Sequence, residues 1–230
     1  MQRLIHQHVP QILGITVLVG GLMTGCVAPS SFVNSTKLQH QAEQFYQAGL
    51  ARLEEKDYLG ALENWDKAIA ADPSYSNAYY HRGLVNRLSG DYASALQDYT
   101  KAIQLNPGSM IAYDNRGFVR AELGDKQGAI ADYSQAVQLN PKFAPAYHSR
   151  GKIFLELKDY SRAIQDFNQA IQRNPSFGQA YYYRGKTYLR LGDRFKALKD
   201  LQQAVKLLTL PEDQSDRQAA IVAIQQLQNR

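Results

Sequence analysis

The chain is predicted to be all-α: a right-handed superhelical α-solenoid of about five helix-turn-helix units, closed by a C-terminal capping helix. Three observations predict it. Proline recurs at Pro73, Pro107, Pro141 and Pro175, each 34 residues from the last. Glycine keeps that interval at Gly49, Gly83, Gly117, Gly151 and Gly185. Alanine keeps it twice, at Ala61, Ala95, Ala129, Ala163 and Ala197 and at Ala68, Ala102, Ala136, Ala170 and Ala204. An aromatic stands four residues before each glycine (Phe45, Tyr79, Tyr113, Tyr147, Tyr181). Another follows at Trp65, Tyr99, Tyr133 and Phe167, with Leu201 in the fifth unit. A fixed period of this length marks stacked units, each too small to bury its apolar face alone.

The units run over 42–75, 76–109, 110–143, 144–177 and 178–211, and each recurring residue has a physical task. Small residues at positions 8, 20 and 27 let helices approach closely, and the aromatics at 4 and 24 fill the space between them. Asp57, Asp91, Asp125, Asp159 and Asp193 precede the second helix, where a carboxylate suits free amides and the helix dipole. Asn-Pro or Asp-Pro ends that helix, because the residue before proline avoids helical geometry. The fifth unit instead ends Leu208-Thr209-Leu210-Pro211, so its second helix is expected to run slightly longer. Residues 212–230 place Ala220, Ile221, Ile224 and Leu227 on one face after the capable caps Asp213 and Ser215, as a terminal capping helix requires.

Residue order and period together resemble the tetratricopeptide repeat over about three quarters of the chain. The stretch GDYASALQDYTKAIQLNP resembles repeats common in cyanobacterial proteins. One internal correlation adds a packing expectation. Units 2 to 5 carry arginine at position 7 (Arg82, Arg116, Arg150, Arg184) and aspartate at position 23 (Asp98, Asp132, Asp166, Asp200). Unit 1 lacks both, having Ala48 and Asn64. The shared loss predicts an ion pair between the two helices of one unit.

The N-terminus is of another kind. Residues 1–25 hold a single charge, Arg3, then an apolar run from Ile12 to Met23, and small residues before Cys26. That pattern describes a secretory signal peptide; the run is too short to span a bilayer comfortably, which takes about 20 residues. Cys26 is the only cysteine, so no internal disulfide forms. Leu22-Met23-Thr24-Gly25-Cys26 resembles the lipobox of bacterial lipoproteins, with Met23 where leucine is most usual. The resemblance implies cleavage before Cys26, acylation of Cys26, and lipid anchoring on the exported side of the inner membrane, at the cell or outer membrane. The alternative is an ordinary signal peptide ending near a cysteine. Residues 26–41 then read as the lipidated cysteine and a short polar tether.

Removing residues 1–25 takes away Arg3 and no acid, so 26 basic against 21 acidic residues becomes 25 against 21, a net charge of +4. Those charges are interspersed, which gives nucleic acid no basic patch to meet. The mature chain's histidines, His40, His81 and His148, have no metal-ligand spacing. No phosphate-binding glycine loop or nucleophile motif appears. Neither an enzyme activity, a cofactor nor a small-molecule substrate is expected.

The resemblance implies a protein partner held in the concave groove, lined by helix A positions 2, 5, 9, 12 and 13. Carried onto this sequence, the partner-binding residues are expected among Asn77, Tyr80, Leu84 and Arg87 of unit 2 and Asp114, Phe118 and Glu122 of unit 3. Unit 4 adds His148, Lys152 and Glu156, and unit 5 adds Tyr182, Lys186 and Arg190. Aromatics with both charge signs suit a bound peptide or helix. The lysine and asparagine clamp that some such domains use for a C-terminal carboxylate is incomplete here, since Tyr46 and Leu50 occupy two of its places. The alternative function is a self-associating structural component or assembly factor of a membrane complex.

Overall fold

A computed structural model describes residues 29–229; the signal-peptide segment and Cys26 lie outside the described residues. Five antiparallel helix pairs follow one another. Unit 1 pairs α1 (Pro29–Glu54) with α2 (Tyr58–Ala71), and unit 2 pairs α3 (Ser76–Leu88) with α4 (Tyr92–Leu105). Then come α5 (Met110–Glu122) with α6 (Lys126–Leu139), α7 (Ala144–Glu156) with α8 (Tyr160–Arg173), and α9 (Gly178–Arg190) with α10 (Arg194–Leu207). A 3-10 turn (Pro211–Asp213) leads into α11 (Gln214–Gln228), and no strand occurs among the described residues. This is the all-α solenoid that the 34-residue period predicts.

Each second helix starts on a carboxylate. Asp57, Asp91, Asp125, Asp159 and Asp193 accept a hydrogen bond from the backbone N–H three residues on, which satisfies one of the four free donors of a helix start. The turn before it needs a left-handed residue. Gly90, Gly124 and Gly192 supply it with φ of 84°, 86° and 79°, whereas units 1 and 4 place Lys56 and Lys158 there at 62° and 61°. A side chain in that region costs roughly 1–2 kcal/mol. Lys158→Gly is therefore expected to stabilise the chain by about 1 kcal/mol, part of the relief going to the freer unfolded glycine. A urea midpoint that rises at constant slope would show it, and a lowered one would refute it.

Packing inside a unit is glycine against a large side chain. Trp65, Tyr99, Phe167 and Leu201 are fully buried and Tyr133 nearly so. A Cβ on Gly151 would sit 2.8 Å from Phe167, and one on Gly117 or Gly185 would sit 3.0 Å from Tyr133 or Leu201. Only a bare backbone admits these rings between the helices.

The Arg–Asp pairs form in all four units. Arg82, Arg116 and Arg150 reach Asp98, Asp132 and Asp166 at 2.6, 2.7 and 2.8 Å, and Arg184 reaches Asp200 at 2.6 Å. The same guanidinium also donates through Nη1 to the second helix of the preceding unit. Its acceptors there are Asp66 at 2.6 Å, Thr100 at 3.4 Å, Ser134 at 2.9 Å and Asn168 at 2.6 Å. Each arginine therefore ties three helices and couples two units. Unit 1, without the pair, turns Asn64 to the Gly60 carbonyl of its own helix.

Three local expectations are corrected. Residues 29–41 are helical and continue unbroken into the first helix of unit 1; Pro29 suits a first helical position and no glycine or further proline interrupts the segment. The fifth unit's second helix keeps the 14 residues of its counterparts, since Leu208 beyond it is buried in the core and Leu210 precedes a proline. Asp213 stands at the N-cap of α11 but does not cap with its side chain, which accepts from Gln179 at 3.4 Å. The apolar side of α11 does cover unit 5: Ala220 is buried with Leu201, Ala204 and Leu208, and Ile224 and Leu227 pack against them.

Candidate interaction groove

The first helices of successive units touch, α3 with α5, α5 with α7 and α7 with α9, and the second helices show no matching series. The first helices therefore line the inside of the curve. Their exposed faces, and the seams between them, make the groove.

The seam between units 2 and 3 gathers several expected residues. The Arg87 guanidinium lies 5.1 Å over the Phe118 ring, and Tyr92 meets the same ring at 6.4 Å. Tyr80 packs on Tyr99 at 5.9 Å and its hydroxyl accepts from Asn115 at 3.4 Å. Leu84 lines the same stretch, half-buried. Burial pushes the Asp114 carboxyl up to about 7, against the pull of the Arg87 charge. Burial likewise raises the Tyr80 hydroxyl to about 12.

Toward the C-terminus the groove turns basic. The ammonium groups of Lys152 and Lys186 lie 5.1 and 5.2 Å from the Tyr183 ring, and Lys186 is 5.4 Å from Tyr182. Asp216 of α11 faces them: burial raises its carboxyl and the two lysines pull it down. Asn77, Glu122, Glu156 and Arg190 stand exposed at the rim, with Glu156 paired to Lys126 at 2.9 Å.

Two expected contact residues are not on the surface. His148 is 7% exposed and Tyr182 6%. The reason is shared, because position 5 sits at the seam where the next first helix packs. His148 is enclosed by Phe177, Tyr183 and Phe167 at 4.9, 5.3 and 6.1 Å. Tyr182 lies in the core that α11 closes. Position 6 is where sequence reasoning missed groove residues: Asn115 touches Tyr80, and Tyr183 touches Lys152 and Lys186. The run Tyr181-Tyr182-Tyr183 was the available signal, since only one of three successive helical positions can point at the unit core. Among the described residues no group of three histidine, cysteine, aspartate or glutamate side chains is placed to hold a metal ion.

Burial of His148 has a pH consequence. Desolvation, helped by the nearby Lys152 charge, lowers its imidazole to about 3. The unfolded chain takes up that proton near pH 6.5, so the stability is full above 6.5 and is lost as pH falls toward 3. At pH 5 the loss from this residue is about 2 kcal/mol. Asp114 acts in the opposite sense, because its raised value favours the folded protonated form as pH falls. Comparing His148→Phe with the unaltered chain at pH 7.5 and 5 cancels that contribution. The substituted chain is expected to lose about 2 kcal/mol less; equal losses would refute the assignment.

Tetratricopeptide-repeat family models match residues 76–109, 119–158, 151–192 and 178–208, together more than half of the chain. The chain belongs to the tetratricopeptide-repeat family, a family of protein-interaction scaffolds that are generally not catalysts. Solved structures agree. MamA is 25% identical with a TM-score of 0.67, over 72% of this chain and 91% of its own. YrrB, a TPR protein with an unusual peptide-binding site, is 24% identical with a TM-score of 0.67, over 84% of this chain and 96% of its own. A tetratricopeptide repeat protein from Parabacteroides merdae is 20% identical with a TM-score of 0.69, over 80% of this chain and 74% of its own. A comparison with curated proteins gives no match.

Proposed function

We propose that this scaffold is held at the bacterial cell envelope by a lipid on Cys26 and binds a peptide or helix of a partner protein along the inner face of its first helices. The observation that carries the groove reading is the contrast between faces. The Arg–Asp bridges saturate the packing positions, whereas the inner face presents Arg87 on Phe118 and Lys152 and Lys186 on Tyr183. Cations resting on aromatic rings give rigid, amphipathic contact area with charge at its edge. The anchoring reading rests on the lipobox resemblance; no described helix is long and apolar enough to cross a membrane. Lipid attachment would raise the local concentration of the scaffold at its target surface.

The test uses the full chain in detergent-solubilised envelopes as bait, beside a variant carrying Leu84→Ala, Phe118→Ala, Lys152→Ala and Lys186→Ala. These side chains are half-buried or exposed, so the variant is expected to fold, which circular dichroism checks. A partner captured by the first bait and lost by the second supports the groove. Capture by both moves the site to the outer face or the ends, and capture of the chain alone favours self-association. Cys26→Ser is expected to abolish incorporation of a labelled fatty acid and release the chain from membranes; a labelled Cys26→Ser chain would sink the anchor.

A further inference from the structure

The turns that join the two helices of each unit lie along one edge of the solenoid, and that edge is apolar. Of the twelve large apolar side chains exposed among the described residues, seven stand within two residues of such a turn. Leu88, Leu123, Leu157 and Leu191 mark units 2 to 5, and Leu59 and Phe195 at the two ends are 75% and 80% exposed. Lys126 pairs with Glu156 of the next unit at 2.9 Å, so successive turns are neighbours. The α1 extension leaves from the opposite edge. An apolar strip of that reach marks an interaction surface.

Charge along the edge selects what covers it. Around the turns of units 2, 3 and 4 (86–97, 120–131 and 154–165) acids and bases balance to zero. In unit 1 (52–63) Glu54, Glu55, Asp57 and Glu63 outweigh Arg52 and Lys56, leaving −2. In unit 5 (188–199) Arg190, Arg194, Lys196 and Lys199 outweigh Asp193, leaving +3. The opposed groups occupy the same places in their repeats. Position 13 is Glu54 in unit 1 and Arg190 in unit 5, and position 22 is Glu63 and Lys199. Position 18, between them, is Leu59 and Phe195, where the inner units have Ala93, Gln127 and Ser161. Glu54, Glu63, Arg190 and Lys199 are all exposed, and none is in an ion pair among the described residues.

We infer that this edge binds a second copy of the chain, antiparallel, about a twofold axis at unit 3. Turning one copy end for end sets the acidic unit 1 of each chain on the basic unit 5 of the other. Glu54 then faces Arg190, Glu63 faces Lys199 and Leu59 meets Phe195, each contact made twice. A parallel pair would set like charges together. Unit 3, at the axis, meets itself through Leu123. Five units stacked about 10 Å apart make a strip about 50 Å long. At the width of one helix pair, about 20 Å, it has room for the roughly 800 Å² per partner that a stable pair buries. The contact is a ridge, so two chains leaning together keep both α1 ends toward one membrane. The inner face of the first helices takes no part, so the inference goes beyond the groove reading and stands apart from it.

The test is analytical ultracentrifugation of the full chain in detergent, with micelles in large excess so that two chains seldom share one by chance. A monomer–dimer equilibrium is expected. Leu59→Ser with Phe195→Ser raises the dimer Kd about ten-fold or more and leaves the melting temperature unchanged, since both side chains are exposed. Glu54→Lys with Glu63→Lys raises it similarly, and so does Arg190→Glu with Lys199→Glu. An equimolar mixture of those two charge-reversed chains restores a one-to-one pair. Leu84→Ala with Phe118→Ala, in the groove, leaves the dimer intact. A chain that is monomeric at every concentration overturns the inference and leaves the edge to a partner of another kind. Growth past the dimer overturns the twofold arrangement. A dimer that survives the end substitutions, a mixture that stays monomeric, or a dimer lost on the groove substitutions instead refutes the edge contact.

Discussion

Trp65→Ala is expected to lower the folding free energy by about 3–5 kcal/mol. Trp65 is 0% exposed and fills the space between the two helices of unit 1. It lies directly on Gly49, where even one added carbon would collide with the indole. Neither side can collapse into the void, because the helix backbone of α1 forms one wall and Tyr46, Leu53 and Val85 form the rest. Trp65→Phe is the control. The indole N–H has no hydrogen-bond partner, so replacing it removes an unsatisfied buried donor, which partly offsets the lost volume. Unit 4 already carries phenylalanine at this position. Trp65 is the only tryptophan, so far-UV circular dichroism in a urea titration is the suitable readout. A loss below about 1 kcal/mol for Trp65→Ala would show that unit 1 contributes little to the cooperative fold.

The second large effect is Arg150→Met, expected to destabilise by about 3–5 kcal/mol through the charge left behind on Asp166. Unit 4 is the place to test it. Asp98 also accepts from Asn86 at 3.0 Å, and Asp132 is paired with Arg120 at 2.9 Å. Asp166 relies on Arg150 alone and is 5% exposed. Ser134, which accepts from Arg150 across the unit boundary, keeps its bond to the Ile130 carbonyl and is not stranded. The double change Arg150→Met with Asp166→Leu is expected to recover most of the loss, ending within about 1 kcal/mol of the unaltered chain. The contrast between single and double changes separates charge compensation from packing. If the double change remains as unstable as the single one, the arginine's worth lies in coupling units 3 and 4, not in neutralising Asp166.

Much of this was legible without coordinates, and for a common reason. Helix pairs, aspartate caps, glycine-on-aromatic packing and the Arg–Asp bridges are constraints inside one repeat, so five copies display them as a period. The joint absence of arginine and aspartate from unit 1 alone pointed to their pairing in the other four. The second anchor of each arginine, on the preceding unit, was not legible. Its acceptor changes identity from Asp66 to Thr100, Ser134 and Asn168, since any oxygen at that point suffices.

What the tertiary structure decided lies between repeats. Position 5 faces a seam, and how deep that seam is depends on how far each unit turns against the next. That turn buried His148 and Tyr182, left Arg87 and Asp114 facing each other without an ion pair, and brought Tyr183 beneath two lysines. The helical continuation through residues 29–41 extends α1 beyond the stretch that pairs with α2, with residues 35–41 exposed, against a composition that reads as a polar tether. Repetition along the chain specifies the unit and its order, because each unit repeats the same local energetics. The binding surface depends on side chains that do not repeat and on angles no single unit contains, so only the assembled superhelix sets it.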